Sequence, residues 1–264
     1  MKDSTSVYIL NGRYKSKILF SASMDNDLDL GQHFMIDEKL LADMVQKAEI
    51  SSEDVVLEVG SGKGALSEHI AKSSPKELIC VEIDNRCEKP SFARFIQGNV
   101  LDHIADLQFN KLVANIPYHI SEPLFSKLSL KRIEKIVCVV GKAFADKLVG
   151  DSIIGSVVRS VYDVTVDRVV SPEAFDPPPS VDSALIILTL KKQSPADIVL
   201  SHFHLHGASK IKNFLMKASV GTFSKNEVRE RLEGFDALLQ EKELYSLTTE
   251  DFLAMRDFIY NKLF

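Results

Sequence analysis

The sequence predicts an α/β domain built on a parallel sheet, followed by a small helical domain. Three observations carry this prediction. Short apolar runs bounded by turn or polar residues recur between residues 54 and 140. Segments with apolar residues at three- and four-residue steps lie between several of them. Beyond residue 193 the apolar pattern is helical only. Strands alternating with helices imply a parallel sheet covered on both faces.

Residues 1 to about 30 show no clear periodicity, and DNDLDL reads as a polar connection. In HFMIDEKLLADMVQKAEI, Leu40, Leu41, Met44, Val45 and Ala48 repeat at helical steps. DVVLEVG is a short apolar run ending in Gly, as buried parallel strands often are. ALSEHIAKSS reads as a helix, ELICVEID as the second strand, ARFIQGNV as the third, KLVANI as the fourth and EKIVCVV as the fifth. SEPLFSKLSL and KAFADKLVGD are helical segments among these strands. YDVTVDRVV and SALIILTLKK are rich in β-formers and flank the Pro-laden SPEAFDPPPSVDS, so they are expected to close the sheet as a hairpin-like pair. KKQSPAD, residues 191 to 197, reads as a linker, dividing a domain of residues 1–192 from one of residues 193–264. SKIKNFLMKAS, KNEVRERLEGFDALLQ and TTEDFLAMRDFIYNKLF are the helices of the second.

The 264 residues are 45% hydrophobic and 26% charged, ordinary globular composition. No apolar run approaches the roughly 20 residues that span a bilayer, so no membrane partner is expected. The first residues lack the basic-then-apolar layout of a signal peptide. Three cysteines, Cys80, Cys87 and Cys138, match neither a disulfide framework nor a zinc spacing, and a reducing cytoplasm is the expected setting. A net charge of -5 gives no global drive toward nucleic acid. HFHLH would place His202, His204 and His206 on one strand face. No acid or Cys ligand pattern accompanies them, so no metal site is expected.

LEVGSGKGALS places Gly60, Gly62 and Gly64 after a strand and before a helix, where glycine permits a tight turn and close approach of a ligand. VEID sets Glu82 at the end of the next strand, about 20 residues on, placed to accept hydrogen bonds from ribose hydroxyls. Glycine turn and acid together predict a nucleoside-binding cleft at the carboxyl ends of the strands. The G-K-[ST] of a phosphate-cradling loop is absent, since Gly64 follows Lys63. From the glycines alone a nicotinamide enzyme stays open. The fourth strand ends unusually, on Asn115-Ile116-Pro117-Tyr118: an amide, a rigid Pro and an aromatic ring.

GQHFMID, LEVGSGKGALS, VEID, NIPY and SPEAFDPPPSVDSALIIL together resemble the KsgA family of rRNA adenine dimethyltransferases, and the related Erm rRNA methyltransferases share much of the pattern. The resemblance runs from about Gly31 to Lys192, with a weaker echo in the C-terminal helices. It implies a Rossmann-like class I S-adenosylmethionine-dependent methyltransferase fold with a small C-terminal helical domain. It also implies S-adenosylmethionine as methyl donor and, as substrate, two adjacent adenosines in the 3′-terminal hairpin of small-subunit rRNA, each methylated twice at N6 by a monomer acting in ribosome biogenesis. Adenine N6 is a poor nucleophile because its lone pair is delocalised into the ring. The Asn115 oxygen and a backbone carbonyl near Ile116 or Pro117 can accept its N–H bonds and aim the lone pair. Pro117 fixes the turn, and Tyr118 can stack on the flipped base for roughly 1–3 kcal/mol. The resemblance places Phe175 at the other wall of the adenine pocket. It lays Gln32 and Phe34 over the cofactor and passes Gly60, Gly62 and Gly64 along it. Glu82 is given to the ribose, Ile83 to the cofactor adenine, and Val100 and Asn115 to further cofactor contacts.

The chain departs from the family at several positions. Asn99, in GNVL, stands where an Asp normally accepts the adenine amino group. Gly141, Ala143 and Lys147 stand where the family has Gln, Glu and Arg. Lys210, Lys212, Lys217 and Arg229, with Lys225 and Arg231, read on their own as a solvated helix face; the resemblance makes them contacts to RNA phosphates. Two alternatives stay open: a non-catalytic ribosome assembly factor on the same fold, and a methyltransferase for another amine, in large-subunit rRNA, DNA or a protein Gln.

Overall fold

Apolar runs become strands where helices can cover both of their faces. In the computed structural model, Val55–Val59 (β1), Glu77–Glu82 (β2), Arg94–Gln97 (β3), Lys111–Asn115 (β4) and Lys135–Gly141 (β5) form parallel ladders. Tyr162–Val170 (β6) and Ser183–Leu190 (β7) complete a seven-stranded sheet in the order β3-β2-β1-β4-β5-β7-β6. β7 runs antiparallel to β5 and to β6, so the expected closing pair is found. The structure describes residues 32–219 and 222–264, with the backbone of Ile9–Leu10 and Arg13–Tyr14, which pair antiparallel. Sequence features before residue 32 lie otherwise outside the described residues.

Alternate strand residues serve opposite layers. Leu57, Val59, Ile79 and Val81 pack with Leu124, Phe125, Leu148 and Ile154 on one side. Val56, Leu78, Cys80 and Val113 pack with Leu41, Met44, Leu66 and Ile70 on the other. The helix Glu38–Ala48 starts on Asp37, whose carboxylate accepts the N–H groups of Lys39 and Leu40. Ile153–Arg159 is a helix that periodicity does not announce, because its β-branched residues are weak helix formers. Ser152 caps it, and burial of Ile154, Val157 and Val158 outweighs local propensity.

The compact units divide after Asp197, later than the boundary expected at 192. Residues 193–197 are tied to the first unit by side chains. The Gln193 amide donates to the Ser160 carbonyl at 3.0 Å, and Lys191 pairs with Asp197 at 3.1 Å. Asp197 also accepts the N–H and hydroxyl of Ser194, starting the helix Pro195–Ser201. The second unit, which takes in residues 198–264, is built around Phe203, Phe214 and Phe252. Its helices Lys225–Leu232 and Thr249–Phe258 each begin with a reciprocal capping box, on Ser224–Glu227 and Thr248–Asp251. No described helix is long and apolar enough to cross a membrane.

Candidate active site

Between β1 and the helix Ala65–Lys72, the chain turns through Gly60, Gly62 and Gly64 at φ of +72°, +51° and +85°. Side-chain-bearing residues rarely adopt these angles. The turn is also crowded at Gly62. A Cβ on Gly62 would lie 3.0 Å from the Phe34 ring, and one on Gly60 would lie 3.7 Å from the Pro117 ring. Nothing lies within 4 Å of the corresponding point on Gly64. Ser61 is buried, and its hydroxyl has no hydrogen-bond partner among the described residues. A buried hydroxyl left that way costs on the order of 1–3 kcal/mol, so the turn carries an unsatisfied polar group.

Glu82 closes β2 and is only 3% exposed. Its carboxylate accepts the backbone N–H of Gly62 at 2.9 Å and of Asp84 at 2.8 Å. Each oxygen keeps a lone pair for a further donor such as a ribose hydroxyl. Arg86 forks onto Asp84 and, against burial, holds that carboxyl at about 2; a hydrogen bond from Gln32 contributes. Gln32 is thereby fastened beyond the end of β2.

Asn115 closes β4. Its Nδ2 donates to the His33 carbonyl at 3.0 Å, which leaves Oδ1 as an acceptor. The Pro117 carbonyl is occupied by the N–H of Ile120 at 3.1 Å, while the Ile116 carbonyl accepts no hydrogen bond among the described residues. Of the Ile116 and Pro117 carbonyls, that of Ile116 is therefore the one without a partner among the described residues. The Tyr118 hydroxyl is hydrogen-bonded to the Ser183 hydroxyl, and its ring lies on Gly141. A Cβ at Gly141 would be 3.4 Å from Tyr118 Cγ. The Gly at this position, a departure from the family pattern, thus makes room for the ring.

The structure brings Gln32, Phe34, Gly60, Gly62, Gly64, Glu82, Asn115, Pro117 and Tyr118 together at the carboxyl ends of β1, β2 and β4. Ile83 follows Glu82 and is 55% exposed, an apolar side chain open to a ligand ring. Asn99 caps the short helix Val100–His103, its oxygen accepting the Leu101 N–H at 3.0 Å, so that atom already serves one donor. The Val100 side chain is 4% exposed within the core, leaving only its backbone for a cofactor.

Phe175 departs from expectation. It is 2% exposed, because its backbone pairs with Met35 and its ring packs into the layer of Leu41 and Met44. It presents no open wall. HFHLH also differs: Phe203–His206 is a 3-10 turn, so the three histidines do not share a strand face. In the second unit, Lys210 and Lys212 both bind Glu241, which neutralises part of the expected basic surface. Arg231 reaches the Leu263 carbonyl and lies 4.2 Å over the Phe223 ring. Lys217 and Arg229 make no ion pair among the described residues. Sequence reasoning passed over His33, Ser61, Asp84 and Ser183. All four lie inside or beside the quoted motifs, but spacing does not say which side chain reaches which partner.

The unpartnered Ser61 hydroxyl, the open space at Gly64, the buried carboxylate and the exposed Ile83 fit a nucleoside-bearing cofactor. The family described as ribosomal RNA adenine dimethylase matches residues 24–259. A probable ribosomal RNA small subunit methyltransferase A of Methanopyrus kandleri is 31% identical, over 82% of this chain and 86% of the relative. An rRNA adenine N-6-methyltransferase of Bacillus licheniformis is 32% identical, over 78% of this chain and 75% of the relative. The crystal structure of a dimethyladenosine transferase from Plasmodium falciparum superposes with a TM-score of 0.57 at 24% identity, covering 84% of this chain and 96% of that one. At that identity the likeness concerns the fold, a class I methyltransferase architecture.

Proposed function

We propose a specific reaction for this chain, which belongs to the ribosomal RNA adenine dimethylase family: S-adenosylmethionine-dependent N6-dimethylation of two adjacent adenosines in the 3′-terminal hairpin of small-subunit rRNA. The setting is ribosome biogenesis in the cytoplasm, with the protein acting as a monomer on the assembling subunit.

The observation that carries this reading is the orientation of the Asn115 amide. Its nitrogen is committed to the His33 carbonyl, so its oxygen is the atom left to accept from an exocyclic amine. With the open Ile116 carbonyl it makes two acceptors for the two N–H bonds of adenine N6. Holding both hydrogens biases the nitrogen toward a tetrahedral shape and directs its lone pair. Such alignment is the main requirement, since well-oriented intramolecular reactions reach effective molarities of about 10⁵–10⁸ M. Tyr118 holds the flipped base by stacking. No side chain is assigned as a strong base; the proton leaves to water after attack. S-adenosylmethionine, when bound, supplies the methyl group on a sulfonium. Glu82 accepts its ribose hydroxyls, Ile83 packs on its adenine, and the glycine turn with Gln32, Phe34 and Asn99 frames the rest. Lys217 and Arg229, with Lys210 and Lys212, meet RNA phosphates.

The test is transfer of labelled methyl from S-adenosylmethionine to unmodified small subunits, comparing wild type with Asn115→Ala and mapping products by mass spectrometry. Dimethyladenosine in the terminal hairpin, lost in the variant, is the expected result. Binding of cofactor and subunit without any transfer would overturn the catalytic reading in favour of an assembly factor. Methylation of a different amine would overturn the substrate.

A further inference from the structure

We propose that Asn99 meets the base of the cofactor as a hydrogen-bond donor, so that this chain does not select its nucleoside by the 6-amino group and also accepts a 6-oxo purine. The inference rests on the nucleoside reading of the cleft above and deepens it to the class of base.

The base end of the cleft follows from register. Glu82 stands opposite Gln97 across β2 and β3. The Gln97 amide donates to the carbonyls of Glu82 and Ile83, each at 3.0 Å, and the Gly98 N–H donates to the Glu82 carbonyl at 2.8 Å. Gly98 then turns at a φ of +151°, with the His103 ring 2.8 Å from the point where its Cβ would stand. The next residue is Asn99, so Ile83 and Asn99 leave the sheet side by side. A nucleoside whose ribose meets Glu82 reaches this pair with its base.

The Asn99 amide has a fixed sense. Its Oδ1 accepts the Leu101 N–H at 3.0 Å, as the N-terminal cap of Val100–His103. Only an oxygen can fill that role, so the amide cannot turn over. The short helix enters only as the partner that fixes this rotation. The amide nitrogen carries two N–H bonds, and none of them is used among the described residues. Asn99 is half-buried, so the group stays reachable.

A carboxylate in this place would cap with one oxygen and offer the other as an acceptor. The amide offers a donor instead. Purines differ on the matching edge. Position 6 of adenine carries a donor, position 6 of a 6-oxo purine carries an acceptor, and N7 accepts in both. Against adenine the Asn99 nitrogen meets the amino group donor to donor and is left with a ring nitrogen. Against a 6-oxo purine it bonds the oxygen directly.

The experiment measures Kd by calorimetry for S-adenosylhomocysteine and S-inosylhomocysteine, with wild type and Asn99→Asp. Asn and Asp cap helices about equally well, so the variant keeps its fold and changes only the free atom. Wild type is expected to bind both ligands, with Kd values within about tenfold of each other. Asn99→Asp is expected to move their ratio about tenfold toward the adenosyl form. Contributions common to both proteins, from Glu82, Ile83 and the Val100 backbone, cancel in that change. A ratio that moves by less than about threefold would overturn the inference, since the second lone pair of Oδ1 would then already read the amino group or the side chain would not face the base. So would a wild type that binds only the adenosyl form. Failure of wild type to bind either ligand would instead remove the nucleoside reading of the cleft, and this inference with it.

Discussion

Asp54 and Glu58 stand at opposite ends of one strand, both buried, and their carboxyls shift in opposite directions. Burial pushes Asp54 up, but the N–H and hydroxyl of Ser51, the Asn110 amide and the Lys111 ammonium together outweigh it and hold it at about 2. Burial pushes Glu58 up to about 7, and only the Ser67 hydroxyl and the Cys80 thiol oppose it. The same contrast runs along β4. Asn110, before the strand, uses its oxygen on Val55 N–H at 2.8 Å and its nitrogen on Asp54 at 2.6 Å. Asn115, at the other end, uses only its nitrogen among the described residues. The amino end of the sheet is a closed polar network, and the carboxyl end is an open one. Closed networks hold a fold; groups left unsatisfied at a defined place mark where a ligand completes them.

Breaking the closed end should cost the most. Lys111→Met strands Asp54, whose ion pair with Lys111 has side chains only 10% and 6% exposed. Loss of one partner of a buried pair costs about 3–5 kcal/mol, read from the urea midpoint, while methyl transfer per folded molecule stays at the wild-type level. Full stability in the variant would dissolve the distinction between the two ends. Asn115→Ala should do the reverse. Transfer falls about 10²–10³-fold, the order seen when one transition-state hydrogen-bonding group is removed, with an unchanged midpoint.

Glu58→Gln sharpens the comparison of the two acids. Glu58 has a folded value of about 7 against an ordinary 4.5. A raised carboxyl contributes its stability in full below the ordinary value and loses it as pH rises through the folded one, about 3 kcal/mol in all. Wild type should therefore lose melting temperature relative to the Gln variant between pH 5 and 7.5; parallel curves would show that Glu58 does not titrate there. Asp54 has the opposite sign, its stability present above the ordinary 3.8 and lost as pH falls toward about 2. The smallest effect is expected for Gly64→Ala. No atom lies within 4 Å of the new Cβ, so only the positive φ is strained, at about 1–2 kcal/mol. A weakening of S-adenosylmethionine binding beyond that would show that the ligand fills the open space.

The parallel strands were legible because each is apolar over consecutive residues, a pattern that follows from burial on both faces. The glycine turn and Glu82 were legible because strand, turn and acid are close in sequence. Ile153–Arg159 was not, since burial overrides its weak propensity. Nor was the attachment of residues 193–197 to the first unit, which depends on Gln193 and Asp197 finding partners there.

By itself, then, the sequence determined the strand order of events along the chain, the turn that only glycine can make, and the amide, proline and ring that end β4. Those are matters of period and backbone conformation, set by residues a few positions apart. Tertiary structure alone decided that Phe175 turns into the core against Met35 and that Gly141 underlies Tyr118. It alone turned the Asn115 nitrogen to His33, a residue 82 positions away. Which atoms of a motif stay open depends on which of their neighbours in space have already claimed them, and that is not written in spacing.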